Sequence, residues 1–162
     1  METTTTKRKL GEIVMHWNGK DSAVFLAQKE YIDTAVIPLI LIDGSEHGFQ
    51  FAASAADFTL SLANVIENQF KGRIVLFPSF SYTRSQDKQL VMKIWKDELN
   101  QVGFKHIFFV TSDRDWSTMA EEENVIWTPS VPLDSMDQKM RNSVLEDQLR
   151  QLIPIFATKW AK

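Results

Sequence analysis

Eight consecutive apolar residues, "AVIPLILI" at positions 35–42, leave this chain few ways to fold. The run is far short of the roughly 20 residues that cross a bilayer. Within "TAVIPLILID" it reads as a strand with no wet face, the pattern of a parallel sheet covered by helices on both sides. Pro38 has no N–H to give a ladder, so the strand is expected near a sheet edge or beside a bulge.

Helical segments alternate with three further strands. "KDSAVFLAQKEY" (20–31) predicts a short helix. Residues 52–70 predict a long one, with Phe58, Leu62, Val65, Ile66 and Phe70 at three- and four-residue steps, and Gly72 suits its C-terminal end. "RIVLFP" (73–78) is the second strand. Ser85 is placed to cap the next helix, which carries Leu90, Val91, Ile94, Trp95 and Leu99 and ends at Gly103. "KHIFFVTSD" (105–113) and "NVIWTP" (124–129) are the third and fourth strands, with a weaker helix over 116–122 between them. A last helix opens near Asp134, runs through Val144, Leu145, Leu149, Leu152 and Phe156 towards Trp160, and is expected to kink or split at Pro154. This alternation predicts an α/β fold: a single three-layer domain with a mainly parallel sheet of about four to five strands and helices on both faces. The domain is expected over residues 15–162, with residues 1–14 a disordered N-terminal extension that includes the polar tract Thr3 to Thr6.

The totals exclude several function classes. The 162 residues suffice for an ordinary core, and 44% hydrophobic with 24% charged residues is a globular composition. There is no cysteine, which removes disulfides, thiolate metal sites and thiol nucleophiles and favours a reducing compartment. A net charge of −3 offers no pull towards nucleic acid. "METTTTKRKLGEIV" has basic residues but no apolar stretch of signal-peptide type, and the chain reads as cytoplasmic with no membrane span. "LGE" two codons before Met15 can be encoded by purine-rich codons resembling a bacterial ribosome-binding site, so translation is expected to begin at Met15.

In an open α/β sheet, ligands sit where loops leave the strand C-termini. Three such loops share a chemistry: "PSFSYTRS" from Pro78, "TSDRDWS" from Thr111 and "TPSVPLD" from Thr128. If they converge, Ser79, Tyr82, Arg84, Ser112, Asp113, Arg114 and Ser130 line one polar crevice, with helix-start N–H groups adding affinity for an anion. The competing reading is that serine, aspartate and proline are there to cap helices and set turns.

The best-marked catalytic and nucleotide motifs are absent: no G-x-G-x-x-G, no G-x-x-x-x-G-K-[ST], no G-x-S-x-G. No cofactor is called for. His16, His47 and His106 are too dispersed for a metal pair; His106 reads as structural and His47 as solvent-facing. "DRD" (113–115) offers two carboxylates to a hard cation, but capping accounts for the same pair and no metal site is assigned. "EEE" (121–123) reads as a solvated run. Of five tryptophans, Trp95 and Trp160 fall on helical stripes, whereas Trp17 and Trp116 do not. Exposed together, those two would make a partner-binding patch.

"EYIDTAVIPL", "NQFKGRIVLFPSFSY", "GFKHIFFVTSD" and "SVPLDSMD", followed by "LEDQLRQL", resemble the YpiF-type proteins of Gram-positive bacteria over residues 15–160. That family is a domain of unknown function with no assigned catalytic residues. The resemblance implies a role near the bc-type respiratory complex, whose genes neighbour the family's, with a subunit of that complex as a partner. "AVIPLILID" with the helix after it is also similar in outline to TolB-type N-terminal domains, which act in protein–protein contact. Two functions follow for a soluble α/β protein. The first is a non-catalytic interaction or accessory module; the second is a site for an anionic small molecule, binding or enzymatic, in the polar crevice.

Overall fold

The computed structural model describes residues 15–119 and 124–162. Helix α1 (Gly19–Ala27) precedes strand β1 (Thr34–Leu41), and α2 (Phe49–Gln69) leads on to β2 (Ile74–Leu76) and β3 (Phe80–Tyr82). After α3 (Lys88–Val102) come β4 (His106–Thr111), a 3₁₀ turn (Arg114–Met119), β5 (Val125–Trp127), a second 3₁₀ turn (Leu133–Ser135) and α4 (Gln138–Trp160). The five strands pair in parallel in the order β2–β1–β4–β5, with β3 also on β1. Among the described residues, no helix is long and apolar enough to cross a membrane. The extension over residues 1–14 and the "EEE" run lie outside the described residues.

β1 is an interior strand, so the edge position expected from Pro38 is not the one adopted; the bulge is. Thr34 N–H donates to Arg73, the Val36 carbonyl accepts from Phe77, and Ile42 N–H donates to Tyr82. Backbone polar groups alternate in direction along a strand, so Pro38 turns its donor-less nitrogen towards this same neighbour. There the register slips by one residue, from Thr34 opposite Ile74 to Leu39 opposite Phe80. The extra residue falls between β2 and β3, beside Pro78, where neither chain has a full set of donors to lose.

The sheet separates two apolar layers. Ala35, Ile37, Leu39, Ile107 and Phe109 face Phe25 of α1 and Val91, Met92 and Leu99 of α3. Val36, Phe108 and Val110 face Phe58, Leu62 and Ile66 of α2 and Leu145, Leu149, Leu152 and Phe156 of α4. This is the three-layer arrangement that a strand with no wet face demands.

Local details differ from expectation in three places. Asp87, not Ser85, caps α3, accepting from Leu90 N–H at 3.1 Å. The Ser85 hydroxyl is instead 2.9 Å from that of Thr83, inside the preceding turn. On α3, Leu90 and Ile94 point to solvent, at 54% and 59% exposure, because Val91 and Met92 take the sheet face. Pro154 does not split α4. It removes one N–H from the ladder, while buried Leu152 and Phe156 on either side hold that turn against the sheet.

At the N-terminal edge of the sheet, Arg73 binds Asp33 through Nε at 3.0 Å and Nη2 at 3.3 Å and lies 4.1 Å above the Trp160 ring. Trp160 Nε1 donates to Thr34 Oγ1 at 2.8 Å, which fastens the end of α4 to β1. Burial acts to raise the Asp33 pKa, but hydrogen bonds from Arg73 and Thr34 outweigh it and hold the carboxyl below its ordinary value. A depressed carboxyl contributes stability above its unfolded pKa and loses it as pH falls through the folded one. Asp33→Asn is therefore expected to cost about 1 kcal/mol at pH 7, a figure discounted for the part-exposed guanidinium. The gap from the parent should be full above the ordinary carboxylate range and narrow as pH falls below it, read in urea melts.

Candidate functional site

The chain leaves β1 to reach β2 on one side and then crosses back past β1 to β4 on the other. Helix α2, which makes the first crossing, covers one face, and α3, which makes the second, covers the opposite face. The loops after β1 and β4 therefore part company at their strand ends. A groove of about 750 Å³ occupies that place.

Each wall has its own chemistry. The α2 side is apolar and mostly small, with Phe51, Ala52, Ala55 and Ala56; Trp127 and Pro129 from the end of β5 close it. The opposite side carries Arg84, Ser112, Asp113, Arg114 and Asp115, while Asp43 and His47 stand at the start of α2. Gly48 belongs there for steric reasons: a Cβ at that position would run into the Asp43 carboxylate.

Arg84 spans the mouth, with Nη1 2.9 Å from Asp115 and Nη2 3.6 Å from Asp43. Asp43 also accepts from Ser45 N–H at 2.9 Å, the leading reason its pKa lies below the ordinary value. Behind the wall, buried Trp116 donates Nε1–H to Tyr82 Oη at 2.7 Å, and Tyr82 donates its own proton to Asp113 Oδ2. Asp115 N–H occupies Asp113 Oδ1 at 3.1 Å. Burial, then the Asp113 carboxylate, push the Tyr82 pKa far above the usual phenol value, so Tyr82 is a fixed donor at every working pH. The chain Trp116–Tyr82–Asp113 sets the orientation of one groove carboxylate. Ser112 is tied too: its hydroxyl lies 3.0 Å from Thr59 Oγ1 of α2, which itself donates to the Ala55 carbonyl. Arg114 is exposed and forms no ion pair among the described residues.

Of the seven crevice residues expected from sequence, Arg84, Ser112, Asp113, Arg114 and Ser130 line this groove. Tyr82 stands behind it. Ser79 does not belong: it sits at the bulge between β2 and β3, in a separate hollow of about 240 Å³ with His16 and Trp17. The proposed tryptophan patch is corrected as well. Trp116 is 0% exposed, because the 3₁₀ turn rolls its ring under β3; Trp17 is 61% exposed and stacks on Phe77 at 5.2 Å. Asp43, His47, Trp127 and the alanines of α2 were missed. His47 is exposed as expected, but it also rims the groove. The alanines had a signal, since small residues on a strongly apolar helix leave space above a sheet edge.

Comparison with known proteins gives one further layer. A curated relative, "Uncharacterized protein YpiF" of Bacillus subtilis (strain 168), is 33% identical over 148 residues, 91% of this chain and 99% of that protein. No solved structure matches the chain. The model of the family described as "Protein of unknown function (DUF2487)" matches residues 23–160, and this chain belongs to that family.

Proposed function

We propose that this protein binds a small molecule bearing a single anionic group, in the groove between the ends of β1 and β4. The observation that carries the proposal is the groove's place in the topology. Where strand order reverses in an open parallel sheet, the diverging loops leave a crevice that α/β proteins use for ligands.

The lining defines the ligand class. Asp43, Asp113 and Asp115 against Arg84 and Arg114 leave one net negative charge, which repels a polyphosphate. Arg84 is already neutralised by two carboxylates, so Arg114 is the guanidinium with capacity for a carboxylate or phosphate. The remaining lone pairs of Asp113 suit a hydroxyl or ammonium donor next to that anion. Phe51, Trp127 and the alanines suit an apolar body. Binding rather than turnover fits best: burial, then the Asp113 carboxylate, keep Tyr82 a protonated donor that holds Asp113 in place.

The interaction-module reading, with a respiratory-complex subunit as partner, loses half its patch with the burial of Trp116 and keeps Trp17 alone. Isothermal titration with 2-amino acids, 2-hydroxy acids and pyrophosphate tests the groove. Saturable binding is expected for an amino or hydroxy acid with an apolar side chain, and none for pyrophosphate. No binding by any of them would remove the proposal.

A further inference from the structure

Ion pairing inside the groove leaves one charge of each sign without a mate. Among the described residues, the charged lining is Asp43, Asp113 and Asp115 against Arg84 and Arg114, with His47 counted as neutral. Arg84 engages Asp115 at 2.9 Å and Asp43 at 3.6 Å. Asp113 and Arg114, consecutive in the chain, form no ion pair among the described residues, with each other or with a third group.

The turn after β4 holds this arrangement. Asp113 is half-buried, and its carboxylate is fixed by neutral donors, the Tyr82 hydroxyl on Oδ2 and the Asp115 N–H on Oδ1. Buried Trp116 anchors Tyr82 in turn through its indole N–H. Arg114 opens the 3₁₀ turn and is exposed. Asp113 is thus a carboxylate held in place and partly withdrawn from water with no cation beside it, which costs free energy until one arrives.

We propose that the groove selects a zwitterion, a 2-amino acid, over the corresponding 2-hydroxy acid, and that Asp113 is the residue that sets the preference. The inference rests on the binding reading above and decides between the two ligand classes that it allows. A hydroxy acid brings a carboxylate to a lining whose net charge is already −1 and moves it to −2, whereas an amino acid adds no net charge. The ammonium also offers three donors to the lone pairs of Asp113 where a hydroxyl offers one, and each is charge-assisted. Because Asp113 and Arg114 are neighbours in one turn, the two charges they accept stand close together, as in a 2-amino acid and not as at the two ends of a peptide.

Isothermal titration of the parent protein with ligands that share one side chain tests this. Phenylalanine, 3-phenyllactate and phenylalanine amide form one series, and leucine with its hydroxy acid and amide forms a second with a smaller body. In at least one series the amino acid should bind about tenfold to a hundredfold more tightly than both counterparts, and less so at high salt. Asp113→Asn, which keeps an oxygen for Tyr82, should remove most of the ratio between amino and hydroxy acid. Equal affinity for those two overturns the zwitterion preference and leaves the groove as an anion site. An amide that binds as tightly as the amino acid overturns the carboxylate seat, and no binding in either series removes the groove reading as well. A preference that survives in an Asp113→Asn variant with the parent's urea midpoint overturns the role of Asp113. The ligand comparison uses the parent protein, so its outcome stands whether or not the variant folds.

Discussion

Trp116→Ala is expected to lower the unfolding free energy by about 3–5 kcal/mol, the cost of emptying a fully buried aromatic site. The ring is 0% exposed, packs edge-on to Tyr82 with centroids 5.5 Å apart, and donates to its hydroxyl. Removing it leaves a cavity beneath the groove and deprives Tyr82 of a partner. Tyr82→Phe separates the two effects. That variant keeps the volume but strands Trp116 Nε1 and Asp113 Oδ2, and should cost about 1–3 kcal/mol. Trp17→Ala, at a 61% exposed ring, should stay within about 1 kcal/mol of the parent. Urea melts followed by far-ultraviolet circular dichroism give all three. A Trp116 variant as stable as the parent would mean that the 3₁₀ turn does not hold the ring in the core.

The same tryptophan shows where sequence reasoning stops. Periodicity places a side chain only within a regular element, and Trp116 lies in a 3₁₀ turn whose path depends on what β3 leaves open. β3 was itself invisible. "FSY" reads as the tail of a turn until the bulge opposite Pro38 lets it rejoin β1. By contrast, the strand over 35–42 dictated its own surroundings, because eight apolar residues have only one way to be dry in a small protein. Parallel strands in turn require crossovers, and crossovers gather the loops after Tyr82, Thr111 and Trp127 on one edge. That is why five of seven crevice residues were legible. Ser79 falls outside the crevice because the chain makes one more short strand, β3, before the loop that starts after Tyr82. Asp43 and His47 carry no such signal, because "DGSEHG" ahead of α2 reads as a plain connection.

The charge variants give the second large effect, and they are designed to act on affinity without acting on the fold. Arg114 is exposed and pairs with nothing among the described residues, so Arg114→Glu should leave the urea midpoint within error of the parent. The groove's formal charge, however, moves from −1 to −3, since one guanidinium is replaced by a carboxylate. Affinity for a monoanionic ligand is expected to fall by about tenfold to a hundredfold, less at high salt because the site is open to solvent. Arg84→Ala should differ in kind. It frees Asp43 and Asp115 as well as removing a positive charge, so it should weaken binding and also loosen the mouth of the groove. Arg150→Ala, on the exposed face of α4 and paired with Asp147 among the described residues, is the control that should change neither property. The three variants are titrated with whichever amino or hydroxy acid the parent binds. If Arg114→Glu binds that ligand as the parent does, the anionic end of the ligand does not lie at Arg114. If affinity and stability fall together, the residue is part of the scaffold and not of a site. Only a loss of affinity at unchanged stability, relieved by salt, fits an anion seated between the ends of β1 and β4.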